Sequence, residues 1–371
     1  MKRSILVGLT LAFSLVGCGD HEQIPPTPFS GTPAVSSWDE VFGSAQQMVL
    51  EIPWEREIVV KDVLLDSRAN LFLNDYRNDR IVMLDPSGQL IRQIAPPGGF
   101  SRLRTIALDA NDNLMAFDTD GKVVTSFAAP DYQTASSYSV ESVVAEFFPA
   151  GSDGDIIAFC PTDSSYLSRF DSTGRLIEST FRPRDEDIGT FLKRVQSGGL
   201  AGGSGSEGFY FIYPEEFAIY HYDAHLNLQR VLKSEPSEWR PALKDFPDDL
   251  SPFDYKPAHK DWWDSHSAHV GDLFMPREDV LAVTLSKGSG LSSENWFLNL
   301  YSREGLVLAE GLPVPHGGRI VGASGGWVFV ATAPYLADDG SLRPASLWRH
   351  PLRLDPMNRG QAAASLPQPP R

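Results

Sequence analysis

The sequence predicts an all-β fold, because short apolar strands follow polar turns at a regular spacing along most of the chain. Helical periodicity is scarce, which argues against architectures that alternate strands with helices. The chain has 371 residues, of which 42% are hydrophobic, so it can build a large core. These observations favour a repeated β-unit over a mixed fold.

The repeat is clearest in two units. Leu65-Asp66 is followed after four residues by Leu71, and Leu108-Asp109 is followed after four residues by Leu114. In both units a polar turn that ends in Asn leads into a short apolar strand. Looser copies begin their strands at Ile156, Phe209, Val280 and Trp327, so the six starts are 43, 42, 53, 71 and 47 residues apart.

A second mark is a hairpin turn that follows several of these strands, at residues 84–88, 170–174, 222–223 and 301–305. Asp and Gly recur there, and they supply the side-chain hydrogen bond and the permissive backbone of a tight turn. A period of about 40 to 50 residues is typical of a β-propeller, in which each repeat forms a four-stranded blade. Six units therefore predict six blades; the alternative is a β-sandwich, because only the first two units match closely.

The propeller is predicted over residues 46–357, with an insertion at 234–272 and a disordered tail at 358–371. The segment from Met48 to Ile52 alternates apolar and polar residues. We predict that it forms the outer strand of the last blade and closes the ring beside Ser346-Leu347-Trp348-Arg349. Such closure removes exposed sheet edges that would favour aggregation.

The N-terminus has the pattern of a secretory signal. Lys2 and Arg3 precede an apolar run that ends at Val16 and is too short to span a bilayer. The run Leu15-Val16-Gly17-Cys18 resembles the lipobox of bacterial lipoproteins, a resemblance that implies lipidation of Cys18 and cleavage before it. Residues 1–17 are then the signal peptide, residues 18–45 form a lipidated flexible tether, and the protein is lipid-anchored in the cell envelope, facing the periplasm or the cell surface. An ordinary signal peptide with a chance cysteine is the alternative.

The stretch from Asn70 to Gly88 resembles an NHL-type blade, with a strand, Asp75, a loop that contains Asn78 and Arg80, a second strand and a turn with Asp and Gly. Together with the lipobox, it makes the whole chain similar to the six-bladed β-propeller lipoproteins of bacterial envelopes. The resemblance implies fold and location more than activity, since such propellers serve as binding platforms, lactonases, lyases and sensors. For Asp75, Asn78 and Arg80 we favour a local structural role over a ligand-binding one.

Charge excludes one class of partner. The formal charge is −16, and removal of Lys2 and Arg3 with the signal peptide brings it to −18, so nucleic acid is not an expected partner. The chain has two cysteines, and if Cys18 is lipidated then Cys160 has no disulfide partner. We read Cys160, at the end of an apolar stretch, as a small buried hydrophobic residue.

Few residues have the chemistry of a site. Asp264, His266 and His269 are weak metal-ligand candidates, because two His spaced by three share a face only if the loop turns there. The insertion also carries aromatic residues that either pack onto the propeller or contact a partner, and our partner-binding candidates are Trp239, Tyr255, Trp262 and Trp263. No catalytic residue and no cofactor is assigned from sequence.

The favoured function is non-catalytic: a lipid-anchored propeller that binds an envelope protein, peptide or glycan through its top face and the insertion. The alternative is a metal-dependent enzyme of lactonase or lyase type, with a site in the central channel built by residues from several blades. A quinone-cofactor propeller is a third reading, for which no specific residue is visible.

Overall fold

The computed structural model of the protein describes residues 24–33, 35, 37–50, 58–150, 154–161, 163, 165–180, 199–202, 208–213, 217–233, 235–236, 268–287, 296–332, 335–336, 342–343 and 345–354. These residues form almost only strands, apart from the short helix α1 (Trp38–Val41) and a 3-10 turn at Pro315–Gly317. None of the helical segments in these ranges is long and apolar enough to cross a membrane.

The strands form six four-stranded antiparallel blades. Blade one consists of β3 (Val60–Leu65), β4 (Leu71–Asp75), β5 (Arg80–Leu84) and β6 (Leu90–Ile94). Blade two consists of β7 (Leu103–Leu108), β8 (Leu114–Asp118), β9 (Val123–Ala128) and β10 (Gln133–Ser139). Blade three consists of β11 (Glu146–Ala150), β12 (Asp155–Phe159), β13 (Leu167–Phe170) and β14 (Leu176–Thr180).

The remaining blades include strands from the N-terminal region. Blade four consists of β15 (Gly199–Gly202), β16 (Phe209–Tyr213), β17 (Ala218–Tyr222) and β18 (Leu228–Lys233), with β1 (Thr27–Pro28) added to its outer edge. Blade five consists of β19 (Ala268–Arg277), β20 (Val280–Lys287), β21 (Trp296–Ser302) and β22 (Val307–Pro313). Blade six consists of β23 (Arg319–Ser324), β24 (Trp327–Thr332), β27 (Ser346–Pro351) and β2 (Gln46–Val49), and a small hairpin of β25 (Tyr335–Leu336) and β26 (Leu342–Arg343) lies between β24 and β27 in sequence.

The first strand of each blade contacts the first strands of the two neighbouring blades, which closes a ring around a central channel. The prediction of an all-β, six-bladed propeller is therefore confirmed. The six strand starts predicted from the repeat all fall at the second strand of a blade, as in β4, β8 and β24. The repeat thus marks the second strands and leaves the innermost strands unmarked.

The core consists of six hydrophobic clusters, one between each pair of neighbouring blades. Successive side chains of a strand point to opposite faces of its sheet. In β4, for example, Leu71 and Leu73 pack towards blade six, whereas Phe72 packs towards blade two. Since both faces are covered, each second strand contains a run of consecutive apolar residues, which explains why these strands dominate the sequence pattern.

The predicted hairpin turns have the expected hydrogen bonds. The carboxylate of Asp85 accepts hydrogen bonds from the backbone N–H groups of Ser87 and Gln89, and Asp171 repeats this arrangement in blade three. Gly88 follows in the left-handed region, with a φ of 90°, where a side chain would be strained. These turns connect the third and fourth strands of their blades.

A closing strand is present, but it spans Gln46–Val49 rather than Met48–Ile52, of which Glu51 and Ile52 lie outside the described residues. β2 pairs antiparallel with β27, with Gln46 opposite Arg349 and Met48 opposite Leu347. Met48 is buried in the cluster between blades six and one, where it also lies against Gly88. The last blade is therefore completed by residues from near the N-terminus, and the ring has no open edge at its junction.

Residues 27–42, which precede this strand, cover the outer edges of blades four, five and six; we call them the N-terminal strap. β1 pairs in parallel with β18, and isolated bridges join Val35 to Ala309 and Phe42 to Leu352. The prediction of a tether over 18–45 did not anticipate this contact, because apolar residues are sparse in the strap. The few that are present pack against the blades: the partly buried Phe29 stacks on Tyr301 with ring centroids 4.2 Å apart, and Phe42 is 1% exposed.

Cys160 is a buried thiol in the cluster between blades two and three, as predicted. Burial is the main cause that raises its pKa to about 12, so the unreactive thiol form is favoured.

One contact of the strap should make stability depend on pH. The indole N–H of Trp38 donates a hydrogen bond to Nδ1 of His350 at 3.1 Å, which requires that nitrogen to be unprotonated. Burial, and then the nearby His316, lower the pKa of His350 to about 4. A depressed folded-state pKa favours the neutral ring, so this contribution is fully present above pH ~6.5 and is lost as the pH falls towards 4.

We therefore expect the free energy of unfolding to fall by up to ~3 kcal/mol between pH 7 and pH 4 on account of this ring. The measurement is urea unfolding over that range for the parent and for His350→Gln, which cannot titrate. The variant should show a shallower pH dependence. Identical slopes for the two proteins would contradict the role of His350.

Candidate functional site

Charged side chains converge at one end of the central channel. Each innermost strand follows the outermost strand of the preceding blade, so all six begin at the same end of the ring. Near these beginnings lie charged residues from four different blades, which we call the channel cluster: Lys61, Asp62, Glu146, Asp272 and Arg319. All five residues are partly exposed to solvent, although Glu146 and Asp272 are largely surrounded by protein atoms.

Backbone irregularities coincide with these residues. The register of β3 against β4 shifts between Val60 and Val63, on either side of Lys61 and Asp62. A similar shift in β19 contains Asp272, and further shifts interrupt β7 and β23. Such bulges leave a residue unpaired and redirect its side chain, and they are frequent beside functional sites.

Lys61 and Asp62 connect blade one to blade two. The ammonium group of Lys61 donates a hydrogen bond to the backbone carbonyl of Arg104 at 2.7 Å and lies 3.7 Å from a carboxylate oxygen of Asp62. The amide nitrogen of Asn74 donates to Asp62 at 2.7 Å and to the same carbonyl of Arg104 at 3.2 Å. The carboxylate of Asp62 therefore accepts a hydrogen bond from the buried amide of Asn74 and lies beside the ammonium group of Lys61.

Glu146 and Asp272 form an acid pair across the inner strand of blade four. The two carboxyl groups are close enough to interact electrostatically, and Glu146 accepts a hydrogen bond from the backbone N–H of Leu200 at 2.9 Å. Burial is the main cause that raises the pKa of both carboxyl groups, and for Glu146 the charge of Asp272 raises it further. Two carboxyl groups that interact in this way hold one proton between them more readily than two isolated acids would.

The inner strand of blade four makes room for this pair. β15 has the sequence Gly-Leu-Ala-Gly and places no charged or polar side chain at the channel. A Cβ atom on Gly199 would collide with the backbone of Leu273, and one on Gly202 would collide with the ring of Phe148. The two glycines therefore let β15 lie close to its neighbours, and Glu146 reaches the backbone N–H of Leu200.

Arg319 supplies a second fixed cation. Its guanidinium group donates long hydrogen bonds to the backbone carbonyls of Val60 and Lys61, at 3.3 and 3.4 Å. Its charge lowers the pKa of Asp272, but less than burial raises it. The cluster thus combines an acid pair, a separate carboxylate and two cations held by the backbone.

The site residues suggested by the sequence lie mostly elsewhere. Trp239, Tyr255, Trp262, Trp263, Asp264 and His266 fall outside the described residues. His269 is in β19, opposite Ser286, and its two suggested partners lie outside the described residues. Among the residues that the structure describes, no three His, Cys, Asp or Glu side chains are placed to hold one metal ion.

Asp75, Asn78 and Arg80 have the local role that the sequence favoured. Asp75 is buried, and its carboxylate accepts hydrogen bonds from Asn78 at 2.7 Å and from Arg80 at 2.8 Å, as well as from the backbone N–H of Val59. These bonds hold the loop between β4 and β5 in place. The trio therefore stabilises blade one, and none of these contacts joins it to the channel cluster.

The channel cluster itself was missed by sequence reasoning, although a signal for it exists. In five of the six units, a charged residue of the inner strand precedes the predicted strand start by eight to ten positions. These residues are Asp62, Arg104, Glu146, Asp272 and Arg319, before strand starts at 71, 114, 156, 280 and 327. The fourth unit has only Gly, Leu and Ala at the equivalent positions.

Comparison with known proteins shows similarity of fold alone. The sequence matches no protein-family model and no curated protein. A candidate exported protein from Bacteroides fragilis superposes with a TM-score of 0.60 and 12% identity, covering 88% of this chain and 99% of its own. A member of the DUF4221 family from Bacteroides vulgatus gives 0.55 and 10% identity over 84% and 97% of the two chains. A candidate gluconolactonase gives 0.50 and 13% identity over 85% and 96%.

Proposed function

We propose that the protein is a non-catalytic, lipid-anchored propeller of the cell envelope that binds an envelope protein, a peptide or a glycan at the mouth of its channel. The observation that carries this proposal is the channel cluster. Four blades contribute charged side chains to one end of the ring, and bulges redirect several of them. Charged groups that are partly desolvated and convergent are more typical of a binding site than of a structural core.

The long insertion is attached at the same end of the ring. It leaves the outer strand of blade four at Lys233 and enters the inner strand of blade five at Ala268, four residues before Asp272. A partner that contacts the insertion could therefore also reach the channel cluster. This is the arrangement expected if the insertion and the channel serve one binding surface.

The envelope location rests on the N-terminal sequence and on one similar structure. Lys2, Arg3, the apolar run and Cys18 have the lipobox pattern, and the propeller from Bacteroides fragilis is described as a candidate exported protein. The Asp75 network supports the NHL-like reading of blade one. Lipid at Cys18 would hold the domain on a membrane without a spanning helix.

The acid pair also favours a second candidate, an enzyme of lactonase or lyase type. A carboxyl group whose pKa is raised towards neutrality can act as a general acid or base, and Glu146 has this property. One structure of similar fold is described as a candidate gluconolactonase. In the metal-dependent form of this proposal, the site would lie in the central channel and would need ligands beyond the described residues, among which no three are placed to hold one ion. A ligand that binds without being converted to product supports the non-catalytic candidate. Conversion of the ligand to product supports the enzyme.

We expect that replacing both Trp262 and Trp263 with Ala weakens partner capture about tenfold or more, because desolvated Trp side chains commonly contribute ~2 kcal/mol each at interfaces. The measurement is recovery of envelope proteins and glycans on the immobilised protein, together with the melting temperature, which should change little. Trp38→Ala is a matched control, because Trp38 lies in the strap, outside the insertion, and packs on Phe42 and on His350 of β27. It should lower the melting temperature and leave capture unchanged. A sharp loss of stability in the double variant would mean that the insertion is a packed lid.

A further inference from the structure

We infer that the outer edge of blade three lies on the surface of the membrane, where Leu176 and Ile177 contact the lipid acyl chains. The inference rests on the proposed lipid anchor at Cys18, and it adds the side of the propeller that the anchor holds against the bilayer. The partner of this edge is therefore a lipid surface, and the contact is apolar.

Exposed apolar side chains are rare in the described part of the chain. Four large hydrophobic residues are exposed there, and they form two pairs: Leu90 and Ile91 in β6, and Leu176 and Ile177 in β14. Leu176 is 51% exposed and Ile177 is 48% exposed. Both pairs lie in the outermost strand of a blade, directly after the same kind of turn. Exposed sheet edges usually carry charges, so adjacent Leu and Ile side chains at such an edge indicate a contact surface.

The strap covers the equivalent position in blade five. Val307 begins the outermost strand of blade five, as Leu176 begins that of blade three. The backbone N–H of Val307 donates a hydrogen bond to the carbonyl of Ser30 in the strap, and the Val307 side chain is partly buried. Among the described strands, β14 pairs only with β13, so none of them covers Leu176 in the same way.

The N-terminal end of the strap leads towards blade three. β1 runs parallel to β18, with Thr27 opposite Leu232. In a parallel pair, earlier residues of one strand lie beside earlier residues of the other. The chain before Thr27 is therefore directed back along β18 towards its beginning at Leu228. Ile24, the first described residue, is partly buried.

Arg169 joins the beginning of β18 to the edge of blade three. The turn before β18 contains Ala224, whose carbonyl accepts a hydrogen bond from Arg169 at 3.1 Å. The same guanidinium group lies 3.5 Å from the carboxylate of Glu178, which follows Ile177 in β14. The N-terminal end of the strap and the exposed pair thus lie on adjoining parts of blades three and four.

The anchor is within reach of this edge. Ile24 is six residues after Cys18, and a chain of that length spans at most about 20 Å. A lipid at Cys18 would therefore keep the bilayer close to blades three and four, whereas blade one is on the opposite side of the ring from blade four. Two aliphatic side chains alone would bind a bilayer weakly, but the anchor raises their effective concentration at its surface.

The test places a fluorescent probe at each exposed pair. Full-length lipidated protein with Ile177→Cys is labelled with the dye NBD and reconstituted into phosphatidylcholine vesicles, and Ile91→Cys is the matched control. Cys160 is buried and the lipid occupies the thiol of Cys18, so neither should react with the dye. Both variants change exposed residues, so their melting temperatures should stay within a few degrees of the parent.

The measurement is quenching of NBD by nitroxide groups on the lipid acyl chains. Apolar side chains at a membrane surface enter the boundary of the acyl region by about 5–10 Å, which brings a probe at position 177 near the quencher. We expect about a twofold loss of fluorescence there and little change at position 91.

Flotation of the vesicles separates this inference from the proposed anchor. If the protein floats with the vesicles and the two positions are quenched equally, or neither is quenched, the anchor stands and the contact of blade three is wrong. If the protein does not float, the anchor is wrong and the inference fails with it. A change in NBD emission at position 177 that follows protein concentration without vesicles would also overturn it, because the edge would then pair with a second copy.

Discussion

Replacing Gln46–Val49 with Gly-Ser-Gly-Ser is expected to lower the melting temperature by roughly 10 °C or more, or to make the protein insoluble. The change removes Met48 from the cluster between blades six and one, and loss of a buried Met alone costs about 2–5 kcal/mol. It also exposes the edge of β27, which an intact ring protects. Circular dichroism melting and size-exclusion chromatography measure the two effects.

The control introduces Gly and Ser just before the strand instead of within it. Ser44→Gly with Ala45→Ser alters two exposed residues just before β2 and should leave the melting temperature within a few degrees of the parent. Unchanged melting after replacement of β2 would show that the ring is held without its closing strand. Burial of Met48 would then contribute far less than its contacts suggest.

Cys18→Ala is expected to abolish membrane attachment while the melting temperature of the domain stays the same. The reason is that the six blades are built from residues 46–351, and Cys18 lies outside the described residues. Attachment is measured by phase partition in a non-ionic detergent and by labelling with radioactive palmitate. If Cys18 is the residue that carries the lipid, its replacement should abolish both the partition and the label.

Cys160→Ala is the matched control, since it removes the other cysteine of the chain. It should keep both the label and the detergent partition, and should lose some stability because Cys160 is fully buried. A Cys18→Ala protein that still partitions with detergent would contradict the lipobox. The N-terminal sequence would then act as an ordinary signal, and attachment would need another explanation.

The parts of the fold that could be predicted are those dominated by burial on two faces. Leu71–Asp75 and Phe209–Tyr213 are second strands enclosed by neighbouring blades, so each begins with at least three consecutive apolar or aromatic residues after a recognisable turn. The inner strands lie against the channel and alternate less regularly, because bulges interrupt them. Their sequence pattern is correspondingly weak.

The candidate site was harder to predict because it depends on where distant strands meet. Asp62 and Asp272 are 210 positions apart, and no local motif joins either to Glu146. Aromatic residues in the insertion attracted attention because they are locally dense, whereas the channel residues occur singly, one or two to a blade. Only the number and order of the blades places them at one end of the ring.

The strap and the closing strand β2 together have a consequence for the order in which the chain can fold. Thr27 pairs with Leu232 and Gln46 with Arg349, so residues made first wait for partners made about 200 to 300 residues later. Contacts this distant in sequence slow folding, because a large loop must close before they form. Until β27 is available, β2 is an unpaired strand that another chain could capture. The yield of folded protein should therefore depend on how long the first fifty residues remain free of other partners.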